Sequence, residues 1–245
     1  MVLTISLVLM WISARIGLFF RQRQRSVEPD VVHDLDLIVT ATLTLLALLI
    51  GFSFSMAISR FDQRKNYEEA EANAIGTEYT RSDLLPAPDA ARTRLLLKAY
   101  LDQRILFYTT GDENQLRQVD AHTAQLQNEL WATVRAPVLA QQTPVLALVA
   151  SGMNDVLNSQ GYTQAAWWNR IPLAAWALMA IVAVCANILV GYGARSFAGG
   201  VHIFVLPIVL STAFWLIADI DSPRRGAIQV RPQNLISLAQ SMRGH

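Results

Sequence analysis

Four long apolar stretches alternate with charged stretches along the chain. The apolar stretches cover residues 2–20, 37–59, 171–192 and 199–218. Each is close to the roughly 20 residues that a helix needs to cross the hydrocarbon core of a bilayer. Pro172 lies at the start of the third stretch, where a helix tolerates proline, and Pro207 lies within the fourth, where proline is expected to kink the helix. The pattern predicts four membrane-spanning helices.

The second apolar stretch continues without a break into a charged one. Residues 37–59 read LIVTATLTLLALLIGFSFSMAIS, and RFDQRKNYEEAEANAIGTEY follows directly. No proline interrupts the junction, and Gly51 is the one glycine in the apolar part. We therefore expect a single long helix that leaves the membrane and continues into a domain outside it.

Residues 60–170 have helical periodicity and no alternation typical of strands. Apolar side chains recur near helical spacing at two sets of positions. These are Leu95, Leu96, Ala99, Ile105 and Leu106, and then Leu116, Val119, Leu126, Leu130 and Val134. Helix breaks are predicted at Pro86, Pro88, Gly111, Pro137 and Gly161. Asp89 and Asp112 are well placed to cap the helices that follow them.

The predicted fold is therefore all-α, with four membrane spans and an extramembrane helical bundle inserted between spans two and three. The expected parts are a first transmembrane pair at 1–59, the bundle at 60–170, a second transmembrane hairpin at 171–218 and a juxtamembrane tail at 219–245. The short loop GARSFAG makes spans three and four an antiparallel hairpin, which we expect to pack through small residues. The small residues are Ala186, Gly191 and Gly199.

Composition supports a membrane protein and argues against other classes. Of the 245 residues, 53% are hydrophobic and 16% are charged, which is too apolar for a typical soluble domain. The net charge of +1 gives no basic excess for nucleic acid. The single cysteine, Cys185, allows neither a disulfide framework nor a cysteine metal site, and no enzyme motif or phosphate-binding loop is present. We therefore expect no enzyme activity, no metal and no cofactor.

Basic residues near the membrane ends bear on orientation. The side that holds the bundle and both termini has Arg60, Arg64, Lys65, Arg170, Arg224, Arg225 and Arg231, and the other side has Arg21, Arg23, Arg25 and Arg195. Because basic residues are enriched on the cytoplasmic side, this count favours a cytoplasmic bundle. The run RQRQR directly after the first span favours the reverse.

The junction after the second span resembles a known family. Gly51 and Phe52, followed after seven residues by Arg60 and Phe61 and then by Arg64 and Lys65, resemble the bestrophin pattern. The segments AEANAIGTEYTRSDLLP at 70–86 and DIDSPRRGAIQV at 219–230 resemble more closely the bestrophin-like bacterial family, over nearly the whole chain. The resemblance implies a homo-oligomeric ion channel in a bacterial inner membrane, pentameric as in bestrophins, with the second span at the pore. The acidic calcium clasp of eukaryotic bestrophins is absent as such, and Ser53, Phe54 and Ser55 depart from the bestrophin pattern.

If the second span lines a pore, one face of it is the candidate lining. Thr44, Leu48 and Phe52 follow one another at four-residue spacing, so they share a helix face. Rings of Leu48 and Phe52 would form a hydrophobic constriction. Ser55 either offers its hydroxyl to an ion or bonds back to a carbonyl one turn earlier. The alternative is that this face merely packs against neighbouring spans.

Charged residues at the two junctions are the other candidates. Arg60, Arg64 and Lys65 either form basic rings at the pore mouth or anchor the helix at the interface, where Glu68, four residues after Arg64, would neutralise its charge. At the far junction, Asp219 and Asp221 either chelate a cation or form ion pairs with Arg224, Arg225 or Arg60, and the ion pairs are favoured. The functional alternative to a channel is a membrane-anchored scaffold or signalling subunit that does not conduct ions.

Overall fold

The protein is all-helical and has the four expected spans. The structure is a computed structural model, and it describes residues 1–23, 29–194 and 202–243, none of which forms a β-strand. The helices are α1 Val2–Arg23, α2 Pro29–Arg81, α3 Ala87–Thr109, α4 Glu113–Ala140, α5 Pro144–Trp168, α6 Leu173–Gly193, α7 His202–Asp221 and α8 Gln233–Arg243, with a 3₁₀ turn at Ser82–Leu84. Four helical segments, which include α1, α2, α6 and α7, are long and apolar enough to cross a membrane. Gly199, Arg25 and Arg195 lie outside the described residues.

Two compact units make up the described chain. The first, which we call the span unit, comprises Met1–Ser59, Arg170–Ser222 and Gly226–Ile228. The second, the bundle unit, comprises Arg60–Asn169, Pro223–Arg225 and Gln229–His245. The 53-residue helix α2 is unbroken, as its sequence predicts, and contributes residues to both units.

Five helices of the bundle unit share one apolar core. Ile75 of α2, Leu97 of α3, Leu130 of α4, Val149 of α5 and Leu235 of α8 are each fully buried in it. Core packing of this kind, rather than intrinsic propensity, supplies most of the stability of helices in proteins. Two positions of the predicted apolar stripes, Leu95 and Leu106, are exposed instead.

Two predicted helix breaks are wrong. Gly161 lies inside α5, which continues to Trp168, because a glycine costs only about 1 kcal/mol in a helix whose packed side chains hold it. Pro137 lies inside the last turn of α4, where it removes one hydrogen bond and its own carbonyl still accepts from the N–H of Gln141. The carboxylate of Asp112 caps α4 as predicted, accepting from the N–H of Asn114 at 2.7 Å, whereas Asp89 lies in the first turn of α3 and is not its cap.

The closest helix packing in the span unit joins α1 to α6. A Cβ atom built on Gly17 would overlap the carbonyl oxygen of Ile188, and one built on Gly191 would overlap that of Ala14. The two backbones therefore touch at positions where only glycine fits, as in other tightly packed membrane helices. Gly191 was expected to pack spans three and four together, but it packs span three against span one. Ala186 is fully buried in the core of this unit.

We predict that Gly191→Ala destabilises the protein and that Gly51→Ala does not. A methyl group at position 191 has to push α1 away, at a cost of roughly 1–3 kcal/mol, whereas nothing lies within 4 Å of a Cβ at Gly51. Thermal unfolding of the two variants in detergent, followed by size-exclusion chromatography, measures the difference. Equal stability of the two variants would show that the α1–α6 contact is looser than described.

Candidate pore helix and its buried charges

The predicted pore-lining residues share one outward face of α2. Leu48 and Phe52 are 54% and 68% exposed in the single subunit, and Thr44 and Ser55 are exposed as well. The opposite face of the same helix is buried in the span unit at Leu46, Ser53 and Ala57. The hydroxyl of Thr44 donates to the carbonyl of Thr40 at 2.8 Å, so it needs no second partner in an apolar setting.

Two of the four predicted pore-mouth charges are buried in the bundle unit. Arg64 and Glu68 are each only 1% exposed, whereas Lys65 is exposed and Arg60 is half-buried. The expectation that Arg64 forms an exposed basic ring at a pore mouth is therefore wrong for the single subunit, and Glu68, predicted beside it, is buried as well. A buried charge is tolerated only where hydrogen bonds replace its hydration, and both residues have such bonds.

Arg64 binds the carboxyl end of α5. Its Nε donates to the carbonyl of Ala166 at 3.1 Å, and an Nη donates to the carbonyl of Asn169 at 3.2 Å. The last carbonyls of a helix lack partners within the helix and carry partial negative charge. The guanidinium therefore caps α5 with the favourable sign of charge, from a position 102 residues earlier in the chain.

Glu68 binds the amino end of α8. Its carboxylate accepts from the backbone N–H of Leu235 at 3.0 Å and from the side-chain amide of Asn234 at 2.6 Å. The first N–H groups of a helix lack partners within the helix, and a carboxylate there is stabilised by the helix dipole. One turn of α2 thus holds the ends of two other helices.

Glu71 is the centre of a buried polar cluster. Its carboxylate accepts from Nε of Arg104 at 2.5 Å, from the hydroxyl of Thr163 at 3.2 Å and from that of Tyr108 at 3.4 Å. Burial opposes the charge of Arg104, but the Glu71 carboxylate and nearby phenols outweigh it, so the pKa of Arg104 is raised. Burial and the same carboxylate raise the pKa of the Tyr108 phenol. The cluster joins α2, α3 and α5.

Glu78, two turns further along α2, is buried without hydrogen bonds. Neither carboxylate oxygen has a partner among the described residues, and a Cβ on Gly152 of α5 would overlap the carboxyl group. Burial raises the pKa of Glu78 to about 8, Arg81 lowers it and Asp155 raises it further. Glu78 is therefore largely protonated at neutral pH.

Arg224, in the segment SPRR, lies against two aromatic rings. Its guanidinium carbon is 4.3 Å from the ring centroid of Trp167 and 4.6 Å from that of Phe107. One Nη donates to the carbonyl of Phe107 at 2.7 Å and to that of Thr110 at 3.1 Å, so Arg224 caps the end of α3. Burial lowers the pKa of Arg224, and Asp120 partly offsets that effect. The sequence pattern suggests an ion pair for Arg224 and gives no sign of this capping role.

Asp219 and Asp221 bind backbone amides. The carboxylate of Asp219 accepts from the N–H groups of Ala227 and Ile228 at 2.8 and 2.9 Å, and that of Asp221 accepts from the N–H of Ile171 at 3.2 Å. Arg224 binds carbonyls and Arg225 pairs with Glu113. The ion pairs favoured for the two aspartates stay predictions.

The carboxylates of Asp219 and Asp221 are therefore largely occupied by the backbone around the end of α7. Within residues 1–23, 29–194 and 202–243, no group of three or more His, Cys, Asp or Glu side chains could hold a metal ion. A cation site at this junction, completed by carbonyls or water, stays a prediction.

Comparison with known proteins decides the family. The model of the bestrophin-like domain matches residues 2–235, which is nearly the whole chain. The chain belongs to the bestrophin-like family.

Solved structures show that this bestrophin-like protein has the fold of bacterial bestrophin homologues. A Klebsiella pneumoniae homologue with a tryptophan-to-alanine mutation matches with a TM-score of 0.68 at 15% identity, over 99% of this chain and 97% of that one. A tyrosine-to-alanine variant from the same organism matches with 0.67 at 16% identity, over 98% of both chains. The Klebsiella homologue phased with zinc matches with 0.62 at 16% identity, over 98% of this chain and 94% of that one. None of the curated proteins matches the chain significantly.

We predict that Arg64→Met destabilises this bestrophin-like protein by about 2–4 kcal/mol, since two buried carbonyls lose charged hydrogen bonds. The neighbouring substitution Lys65→Met is the matched control, and it is expected to change stability by no more than about 0.5 kcal/mol because Lys65 is exposed. Unfolding transitions in detergent measure both. A Lys65→Met variant as unstable as Arg64→Met would argue against the cap on α5.

We predict that the wild type loses stability as pH rises and that the Glu78→Gln variant does not show this loss. The pKa of Glu78 is about 8 in the folded state against 4.5 for the free group, so the folded state holds the proton more tightly. The contribution of Glu78 to stability is therefore greatest below pH 4.5 and falls until pH reaches about 8, by an amount on the order of 3–5 kcal/mol.

The measurement is the unfolding temperature of wild type and Glu78→Gln between pH 4.5 and 8.5. The difference between the two should grow with pH in favour of the variant. Glu69→Gln, an exposed carboxylate on the same helix, is the control and should follow the wild type. Parallel curves for wild type and Glu78→Gln would mean that Glu78 is hydrated and ionised in the folded protein.

Proposed function

We propose that this protein is the subunit of a homo-oligomeric ion channel whose pore is lined by α2. The observation that carries the proposal is the outward column of Thr44, Leu48, Phe52 and Ser55. This column lies opposite the face that α2 buries at Leu46, Ser53 and Ala57, so it is available to the same face of other copies. In a closed ring of copies, side chains at one position form a ring around the axis.

The side chains of this column are of the types that form a hydrophobic gate in a pore. Leu48 and Phe52 supply two hydrophobic rings one helical turn apart, which block ions when the space between them is free of water. Thr44 and Ser55 bracket these rings with hydroxyl groups, over a length of roughly 16 Å at 1.5 Å per residue. Family membership supports the proposal, because bestrophins are ion channels that line their pore with the second span.

Lys65 remains a candidate for the pore mouth. It is exposed just after the apolar part of α2, and the exposed Glu69 follows it by one turn. Since Arg64 and Glu68 are buried, the field at the mouth depends on Lys65 and its exposed neighbours more than on those two. We further propose a bacterial inner membrane with the bundle unit in the cytoplasm, on the family resemblance and the excess of basic residues on that side.

Cysteine accessibility tests the proposal with a matched pair of serines. In a Cys185→Ser background, Ser55→Cys places a thiol in the outward column, and Ser53→Cys places one on the buried face of the same helix, where Ser53 is 7% exposed. The current through purified protein in liposomes is measured before and after a water-soluble cationic thiol reagent is added. We expect a fall of several-fold in current for Ser55→Cys and no change for Ser53→Cys.

Three outcomes would count against the channel. Modification of Ser53→Cys alone would place a different face of α2 at the pore. Current that neither cysteine affects would place the pore elsewhere. Inserted and folded protein that stays silent in sodium, potassium and chloride gradients would favour the non-conducting scaffold.

A further inference from the structure

Aromatic and arginine side chains alternate along one outward face of α1. Trp11, Arg15, Phe19 and Arg23 follow one another at four-residue spacing, and all four are exposed. The guanidinium of Arg15 lies 5.3 Å from the ring centroid of Trp11, and that of Arg23 lies 4.8 Å from that of Phe19. On this face the guanidinium groups of Arg15 and Arg23 therefore lie against aromatic rings.

Arg21 belongs to the same end of the span unit. Its guanidinium lies 5.8 Å from the ring of Tyr192, at the end of α6. The glycine contacts of Gly17 and Gly191 bring the two backbones together just below, so α1 and α6 present Arg21 and Tyr192 side by side. Arg21 is half-buried in this position.

The acids nearest to these arginines in the chain, Glu28, Asp30, Asp34 and Asp36, lie outside the helix that carries the arginines. Neither α1 nor α6 contains an aspartate or a glutamate. Asp34 and Asp36 flank Leu35, which lies 3.8 Å from the Cβ position of Gly193, but within the described chain neither forms an ion pair with Arg21 or Arg23. Aromatic rings attract a guanidinium without cancelling its charge, so Arg21 and Arg23 still present positive charge to a ligand.

We propose that Arg21 and Arg23 bind the phosphate headgroup of an anionic phospholipid. A guanidinium binds a phosphate through two parallel hydrogen bonds, and each basic residue near an anionic membrane surface contributes about 1 kcal/mol. Arg15 lies roughly 12 Å deeper along the helix than Arg23, so the headgroup is assigned to the outer two arginines. This lipid site is independent of whether the protein conducts ions.

Native mass spectrometry of the purified full chain, titrated with phosphatidylglycerol and phosphatidylcholine of the same acyl chains, tests the site. We expect the wild type to prefer phosphatidylglycerol, and Arg21→Gln/Arg23→Gln to weaken phosphatidylglycerol binding by roughly 10- to 30-fold with little effect on phosphatidylcholine. Arg92→Gln/Arg135→Gln removes two exposed arginines of the bundle unit and should behave as the wild type. Arg21→Lys/Arg23→Lys keeps the charge and should retain most of the preference.

Two results would overturn the assignment. The first is equal binding of the two lipids by the wild type, a result that does not depend on the stability of any variant. The other is an unchanged preference in Arg21→Gln/Arg23→Gln, with an elution profile and helical content that match the wild type. A loss of preference in Arg92→Gln/Arg135→Gln would also overturn it, because the effect would then follow net charge rather than this site.

Discussion

Charged side chains of α2 form hydrogen bonds with the backbone groups at the ends of other helices, and the bundle unit depends on this arrangement. Arg64 binds the carbonyls at the end of α5, and Glu68 binds the N–H groups at the start of α8. Each charge opposes the partial charge of the helix end that it meets. Because the ends are inside the protein, water cannot replace these partners, and the positions of α5 and α8 follow from the register of α2.

The next turns of α2 show two solutions for a buried acid. Glu71 accepts hydrogen bonds from Arg104, Tyr108 and Thr163, which surround its carboxylate. Glu78 has no such partners and holds a proton instead, packed against the glycine of a neighbouring helix. Removing one member of a buried ion pair costs more stability than the pair itself contributes. Loss of either Glu71 or Arg104 alone is therefore costly. The same helix thus combines a buried ion pair with a buried neutral acid.

The sequence predicts the fold well because the spans are read from long apolar runs, and the unbroken α2 is read from the absence of proline at its junction. Resemblance of the junction to bestrophins led to the right family. The roles of the charges were harder to predict, because a charged run on a helix is usually a solvated face. The sequence did carry a signal of burial, because the helical spacing puts four charged residues on the same face of α2 as the buried Ile75. These residues are Arg64, Glu68, Glu71 and Glu78. Their partners lie too far along the chain for local pattern to find.

The distances along the chain between these partners have a consequence for biosynthesis. Glu68 is joined to Leu235 across 167 residues, and Arg64 to Ala166 across 102. A ribosome that has just released α2 into the membrane therefore exposes charges whose partners have not yet been made. Contacts between such remote residues form late in folding. The bundle unit is completed only after Leu235 has been made, and until then water has to solvate the charges in the second half of α2.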